Sequence, residues 1–181
     1  MKRFVVASLV VLSLVACVPR GAITLVPGAA LSAPARTVLV ATSRQAAEDG
    51  FGVDRAERVS FGRFDITIPD DRAPGKITWP RGAPDPTRHF LTDRAEVLPD
   101  AAAFRAAISA ELAARGAGTH DAVIFVHGYN TTFAEGLYRT AQIGADLGLS
   151  GVLMQYSWPS RANPLAYAYD RDSVLFARDG L

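Results

Sequence analysis

Two short apolar runs joined by a capped helix constrain the fold of this chain more than any other feature of its sequence. Residues 122–126 (AVIFV) and 152–156 (VLMQY) are typical of strands that are buried on both faces of a parallel sheet. Between them, residues 133–147 form a helical pattern, and Thr132 and Glu135 have the spacing of a capping box. Parallel strands need a crossover connection of this length. The sequence therefore predicts a right-handed βαβ unit and an α/β fold, with the two strands parallel neighbours or near neighbours.

Further elements are predicted upstream of this unit. Residues 37–41 (TVLVA) and 61–68 (FGRFDITI) have the β-branched or alternating pattern of strands. Asp100 is placed to act as the N-cap of a helix. Six prolines lie in residues 69–99, which are predicted to be mostly irregular, apart from a short edge strand at 76–79.

A last helix is predicted to begin at Pro164. Its apolar positions include Leu165, Tyr169, Val174 and Phe176. The sequence stops at Leu181 inside this pattern.

The first residues of the chain are predicted to be an export signal. After two cations, residues 4–18 carry no charge, and fifteen residues fall short of the roughly 20 that a membrane-spanning helix needs. This favours a secretory signal peptide over a transmembrane helix. The run ends in LVAC, which resembles a bacterial lipoprotein signal and implies cleavage before Cys17 and lipid attachment there. An ordinary signal peptide with a cysteine beside its cleavage site is the alternative.

The predicted organisation is therefore a signal peptide (1–16), a lipid-anchored tether rich in proline, glycine and alanine (17–36), and a folded domain (37–181). The expected partner is membrane lipid, attached through Cys17. The expected location is the bacterial cell envelope, with the domain facing the periplasm or the exterior.

Composition excludes several classes of function. The 19 basic and 18 acidic residues are interspersed, so the sequence has no cluster of positive charge of the kind that binds nucleic acid. One cysteine excludes an intramolecular disulfide and a cysteine-rich metal site. His89 and Asp93 belong to no metal-binding pattern, and no phosphate-binding glycine motif occurs, so neither a metal nor a cofactor is expected.

The segment that points to chemistry is residues 127–130 (HGYN), directly after the strand 122–126 and before a capped helix. A sharp turn at this place exposes backbone N–H groups near a helix N-terminus, which favours a developing anion. A plain strand-to-helix turn containing a glycine explains the same residues.

Several segments, in order, resemble the N-terminal half of a little-characterised bacterial branch of the α/β-hydrolase superfamily. They are VATSR, ERVSFGRFDITIP, FVHGYNTTF, RTAQIGADLG, QYSWPS and YAYD. The resemblance implies a mostly parallel sheet with flanking helices. It also implies that the loop after strand 122–126 supplies an oxyanion-hole amide, from Tyr129 first or Asn130 second. His127 and Gly128 would then shape the turn.

The chain departs from the superfamily pattern in its catalytic residues. No G-x-S-x-G elbow occurs, and Ser157 leads into Trp158-Pro159. Ser157 and Trp158 are therefore expected to form the wall of a pocket instead. All three histidines precede Ser157, so no base follows it in the superfamily's order of serine, acid and histidine. The expectation is an incomplete hydrolase domain whose triad lies beyond Leu181, with strand 152–156 left at the open edge of the sheet.

Three functions remain open at this point. The first is an esterase or acyl hydrolase that acts on a small acyl or ester substrate. The second is a non-catalytic, lipid-anchored binding or interaction module of the cell envelope. The third is an intact small enzyme that uses other residues.

Overall fold

The computed structural model describes residues 20–48, 50–115 and 121–181. The predicted signal peptide and the lipidation site at Cys17 lie outside these residues. The strands are β1 (Ala35–Ala47), β2 (Gly50–Thr67), β3 (Leu91–Leu98), β4 (Ala122–Val126) and β5 (Val152–Ser157). The helices are α1 (Ala101–Ala114), α2 (Phe133–Asp146) and α3 (Tyr167–Ala177), and two short 3-10 turns lie at Ala29–Leu31 and Arg178–Gly180.

The five strands form one mixed sheet in the order β3-β2-β1-β5-β4. The pairs β1/β2 and β2/β3 are antiparallel, whereas β1/β5 and β4/β5 are parallel. The predicted α/β class and the parallel pairing of 122–126 with 152–156 are confirmed.

The expected place of strand 152–156 at the edge of the sheet is wrong. The chain returns from α2 and inserts β5 between β1 and β4, so β4 becomes the edge strand of the described sheet. Burial follows from this order: nearly every residue of β5 is buried, whereas β4 alternates between exposed and half-buried positions, so the predicted burial of residues 122–126 on both faces is wrong.

Helices cover both faces of the sheet. On one face α2 lies close to β5, because a Cβ atom at Gly144 would come within 2.3 Å of Leu153 Cδ1. On the other face Phe104 of α1 stacks on Phe61 of β2, with ring centroids 4.8 Å apart. The main core lies under α2; its fully buried members include Val38, Val40, Ile66, Leu137 and Tyr138.

The predicted helix caps are confirmed. The Thr132 hydroxyl accepts a hydrogen bond from Glu135 N (3.0 Å), and the Glu135 carboxylate accepts one from Thr132 N (2.9 Å). Asp100 Oδ1 accepts from Ala103 N at 2.8 Å and so begins α1. Gly148, just past the end of α2, has a φ of 59°.

Two predictions for residues 69–99 need correction. Residues 91–98 form β3, an edge strand whose charged residues obscure the apolar alternation but whose backbone pairs with β2. Residues 76–79 form no strand.

The last helix begins at Tyr167, three residues later than predicted, and its buried residues are Asp170, Ser173 and Ala177. Val174 and Phe176, predicted as part of an apolar stripe, are exposed. The helix is held by polar contacts from Asp170 that the apolar pattern does not show.

The described part of the predicted tether, residues 20–36, lies against the domain and continues into β1. Val26 N donates to Thr92 O (2.8 Å), and Thr92 N donates to Thr24 O (2.9 Å). Ala29 is buried, and Ile23 packs against the main core. These backbone pairs and apolar contacts hold the segment on the sheet. Among the described residues, no helix is both long and apolar enough to cross a membrane.

Candidate functional site

A cleft of about 750 Å³ lies where β4 and β5 end, between the turn that follows β4 and helix α3. Its volume is in the range of small-molecule sites, and ligands of open α/β sheets bind outside the carboxyl ends of the strands. The lining is largely apolar and includes Val126, Gly128, Tyr129, Trp158, Tyr167, Val174 and Leu175.

The two backbone amides that were expected as oxyanion donors differ in their hydrogen bonds. Asn130 has a left-handed φ of 56°, and its N–H donates to Asp170 Oδ2 at 3.0 Å. The Asn130 amide is therefore already hydrogen-bonded within the fold and is not free to bind a substrate oxygen. The N–H of Tyr129 has no hydrogen-bond partner within the described ranges, and Tyr129 lines the cleft. A Cβ at Gly128 would meet no atom within 4 Å, so the turn leaves open space beside this amide.

His127 is a buried structural group. Its ring stacks on Trp158 at a centroid distance of 4.6 Å, and Trp158 Nε1 donates to His127 O at 2.8 Å. Its Nε2 atom lies 2.9 Å from Trp158 O. Burial, followed by the positive charge of Arg44, lowers the pKa of His127 to about 4. The ring is neutral at neutral pH and a poor general base, which fits a role in shaping the turn.

Arg44 organises the carboxyl ends of the strands, and sequence reasoning did not find it. Its fully buried guanidinium donates to Ser157 Oγ (2.8 Å), Gly52 O (2.8 Å) and Thr131 O (3.0 Å). Burial lowers the pKa of Arg44 to about 10, so it keeps its charge at neutral pH. The segment VATSR carries this residue, but nothing in its local pattern shows that the arginine is buried.

The two residues expected to form pocket wall lie at different depths. Trp158 lines the cleft. Ser157 is completely buried; its hydroxyl accepts from Arg44 Nε, and its carbonyl accepts from Thr42 Oγ1 at 2.6 Å. Ser157 therefore lies behind the wall, where a substrate cannot reach its hydroxyl.

Asp170 is a second buried charged residue at the candidate site that sequence reasoning missed. This buried carboxylate of α3 accepts from Asn130 N, from Ser160 Oγ (2.6 Å) and from Arg161 N (2.7 Å). It thereby fastens both the turn after β4 and the loop after β5 to α3. The segment YAYD carries this residue, but nothing in its local pattern shows that the aspartate is buried.

Arg20 reaches the same turn from outside. Its guanidinium donates to Asn130 Oδ1 and Asn130 O (2.6 Å each), to Ala162 O (2.7 Å) and to Glu135 Oε1 (2.9 Å). The side chains of Arg20 and Glu135 are about one third exposed. The described beginning of the chain is thus attached to the edge of the candidate site.

Across residues 20–48, 50–115 and 121–181, no group of three His, Cys, Asp or Glu side chains could hold a metal ion. His89, the other described histidine, accepts through Nδ1 from Asp85 N at 3.1 Å, within a local turn.

Residues 100–181 match the family model described as an alpha/beta hydrolase of unknown function (DUF900). The match spans the turn 127–130 and Asp170, whereas Arg44 lies upstream of it. This part of the chain is therefore related to the α/β-hydrolase superfamily. Neither a curated protein nor a solved structure matches the chain.

Proposed function

We propose, from the relationship of residues 100–181 to the α/β-hydrolases, that this protein is an esterase or acyl hydrolase. The apolar cleft would hold the acyl group, and the Tyr129 N–H would bind the carbonyl oxygen. The observation that carries this proposal is an uncommitted backbone amide beside an apolar cleft at the carboxyl ends of parallel strands.

The chemistry requires such a donor. When a nucleophile attacks an ester carbonyl, negative charge develops on the oxygen, and a donor already in place stabilises it. Here the turn is held from both sides, because Asp170 binds the Asn130 N–H and Arg20 binds the Asn130 carbonyl. The hydrogen bonds of Asn130 would thus hold the neighbouring Tyr129 N–H in place before a substrate arrives.

The nucleophile and base are proposed to come from residues C-terminal to Leu181. Within the part of the chain that the structure describes, Ser157 is buried and His127 is a weak base. Superfamily members carry serine, acid and histidine in that chain order after the oxyanion loop. The residues described here would then supply the oxyanion donor and the acyl-binding wall.

The test compares the 181-residue chain with the product of the complete coding region. Both are assayed with p-nitrophenyl esters and with a fluorophosphonate probe that labels activated serines. We expect labelling and turnover from the longer product only. Stoichiometric labelling of Ser157 in the 181-residue chain, with turnover abolished by Ser157→Ala, would refute this assignment.

A second variant pair tests the amide itself in the longer product. Tyr129→Pro removes the N–H and should lower kcat by about 10²–10³, the usual effect of losing one oxyanion donor. Tyr129→Phe keeps the N–H and should retain kcat. Circular dichroism confirms that both variants fold. Equal kcat values for the two variants would exclude the Tyr129 amide as the donor.

A non-catalytic, lipid-anchored binding module is the second candidate. It is favoured by the structural use of the buried His127, Asp170 and Arg44, all of which are engaged in hydrogen bonds within the fold. A complete product that binds a fluorescent fatty acid, but neither labels nor turns over esters, would support this function and contradict the hydrolase.

A further inference from the structure

The beginning of the described chain and the candidate site lie at the same end of the molecule. Arg20 is bonded to Asn130 and Ala162, which belong to the two loops beside the cleft. Only two residues separate Arg20 from Cys17, the predicted lipidation site. Because a chain extends at most about 3.6 Å per residue, these three steps of the chain can span at most about 11 Å. A lipid on Cys17 would hold this end of the protein against the membrane.

An exposed apolar surface lies beside the same loops. Leu165 is 93% exposed, Tyr167 61% and Tyr129 41%. The two tyrosine rings contact each other edge to face at 5.5 Å, and the Tyr129 hydroxyl donates to Pro164 O. We call these three residues the anchor-side patch. Tyrosine and leucine suit the boundary between lipid headgroups and acyl chains.

The patch and the cleft share residues. Tyr129 and Tyr167 belong to both, whereas Leu165 lies outside the cleft lining. The patch is therefore continuous with the lining of the cleft.

We propose that the anchor-side patch rests on the lipid bilayer and that the cleft takes acyl esters that reside in the membrane. The orientation rests on the predicted lipidation of Cys17, and the substrate class rests additionally on the proposed hydrolase function. The occupant of the patch is a lipid surface, because the predicted anchor lies within three residues of the bonds that hold Arg20 to the site.

The orientation is tested without any assay of activity. The lipidated protein from the complete coding region is reconstituted into vesicles of phosphatidylcholine and phosphatidylglycerol. Leu165→Cys carries an environment-sensitive fluorophore, and doxyl-labelled lipids serve as quenchers. The control is Leu147→Cys, an exposed leucine at the opposite end of the parallel strands. If the longer product contains further cysteines, they are replaced by serine in both variants.

We expect the label at position 165 to be quenched by shallow doxyl lipids several-fold more than the label at position 147. Equal quenching at the two positions, or stronger quenching at 147, would overturn the orientation. Recovery of the protein outside the membrane fraction, with a free thiol at Cys17, would overturn it as well.

The substrate class is tested with Leu165→Glu, which changes the patch but not the cleft. Turnover of a fluorogenic phospholipid ester in vesicles should fall by about tenfold, as expected for losing one apolar side chain from the interface. Turnover of a soluble short-chain ester should be unchanged. Equal effects on both substrates, or no effect on either, would overturn the assignment. If neither ester is cleaved while position 165 is quenched, the proposed function fails, the substrate class falls with it, and the orientation stands.

Discussion

Charged and polar side chains inside the fold determine the geometry of the site at the scale of single residues. Arg44 joins β1 to β2, to the turn after β4 and to the end of β5, and Asp170 joins α3 to the loops after β4 and β5. Buried charges cost free energy unless their hydrogen bonds are satisfied, so each partner depends on the others. The site is therefore sensitive to substitutions that touch no substrate.

Replacing Arg44 by lysine should lower the free energy of unfolding by about 3 kcal/mol, because an ammonium group cannot reproduce the planar set of donors. Denaturant unfolding followed by tryptophan fluorescence measures this change. The control is Arg105→Lys on the exposed side of α1, which should change stability by less than about 0.5 kcal/mol. Similar small changes in both variants would contradict the structural role of Arg44.

Protonation of His127 should make the fold sensitive to acid. Its pKa is about 4 in the folded protein, against an ordinary value of 6.5, so the unfolded chain binds the proton more tightly. Stability is therefore full above pH 6.5, falls as the pH drops from 6.5 to 4, and loses about 3 kcal/mol in total from this group. Urea unfolding at pH 8, 6 and 5 measures the loss. His127→Gln should flatten the pH dependence, and an unchanged slope in that variant would contradict the assignment.

At the scale of the elements, α2 packs closely on β5. Gly144 faces Leu153, and Gly136 faces Gln155, where a Cβ would meet Gln155 Nε2 at 2.3 Å. Small residues at these two positions allow the helix to approach the strand.

Gly144→Ala should therefore lower the free energy of unfolding by about 1–3 kcal/mol through overpacking, despite the better helix propensity of alanine. Thermal or denaturant unfolding checks this value. The control is Gly82→Ala, where a Cβ would meet nothing within 4 Å and the change should be neutral or slightly stabilising. If Gly144→Ala is as stable as the parent protein, the helix does not approach the strand as closely as described.

At the scale of the whole molecule, the two edges of the described sheet differ in chemistry. The β3 edge carries Asp93, Arg94 and Glu96, which discourage pairing with another chain. The β4 edge carries Ile124 and Val126, whose side chains are both exposed. We therefore expect association with another molecule to involve the β4 edge.

Ile124→Lys should reduce self-association of the purified 181-residue chain without lowering its stability, because the charge lies at an exposed position of the edge strand. Light scattering over a range of protein concentrations measures this effect. Val97→Lys on β3, which replaces another exposed apolar residue, should leave association unchanged. If Val97→Lys is the variant that reduces association, the chains associate through β3 and not through β4.

The sequence by itself determined the βαβ unit, the helix caps at Asp100 and Thr132, and the turn that carries Tyr129. These features depend on residues a few positions apart, so apolar periodicity and capping chemistry are sufficient to predict them. The resemblance to the α/β-hydrolases likewise rests on short segments in order, and the family match agrees with it.

Only the tertiary structure decided that β5 lies inside the sheet, that residues 20–36 lie against it, and that Arg44 and Asp170 are buried. Arg44 and Ser157 are 113 positions apart, and Asn130 and Asp170 are 40 apart. The burial of a charged side chain depends on partners brought to it by the fold, and no local pattern records them. The two amides that were expected as oxyanion donors differ for the same reason. The Asn130 N–H donates to the Asp170 carboxylate of α3, which is distant in the sequence, whereas the Tyr129 N–H does not.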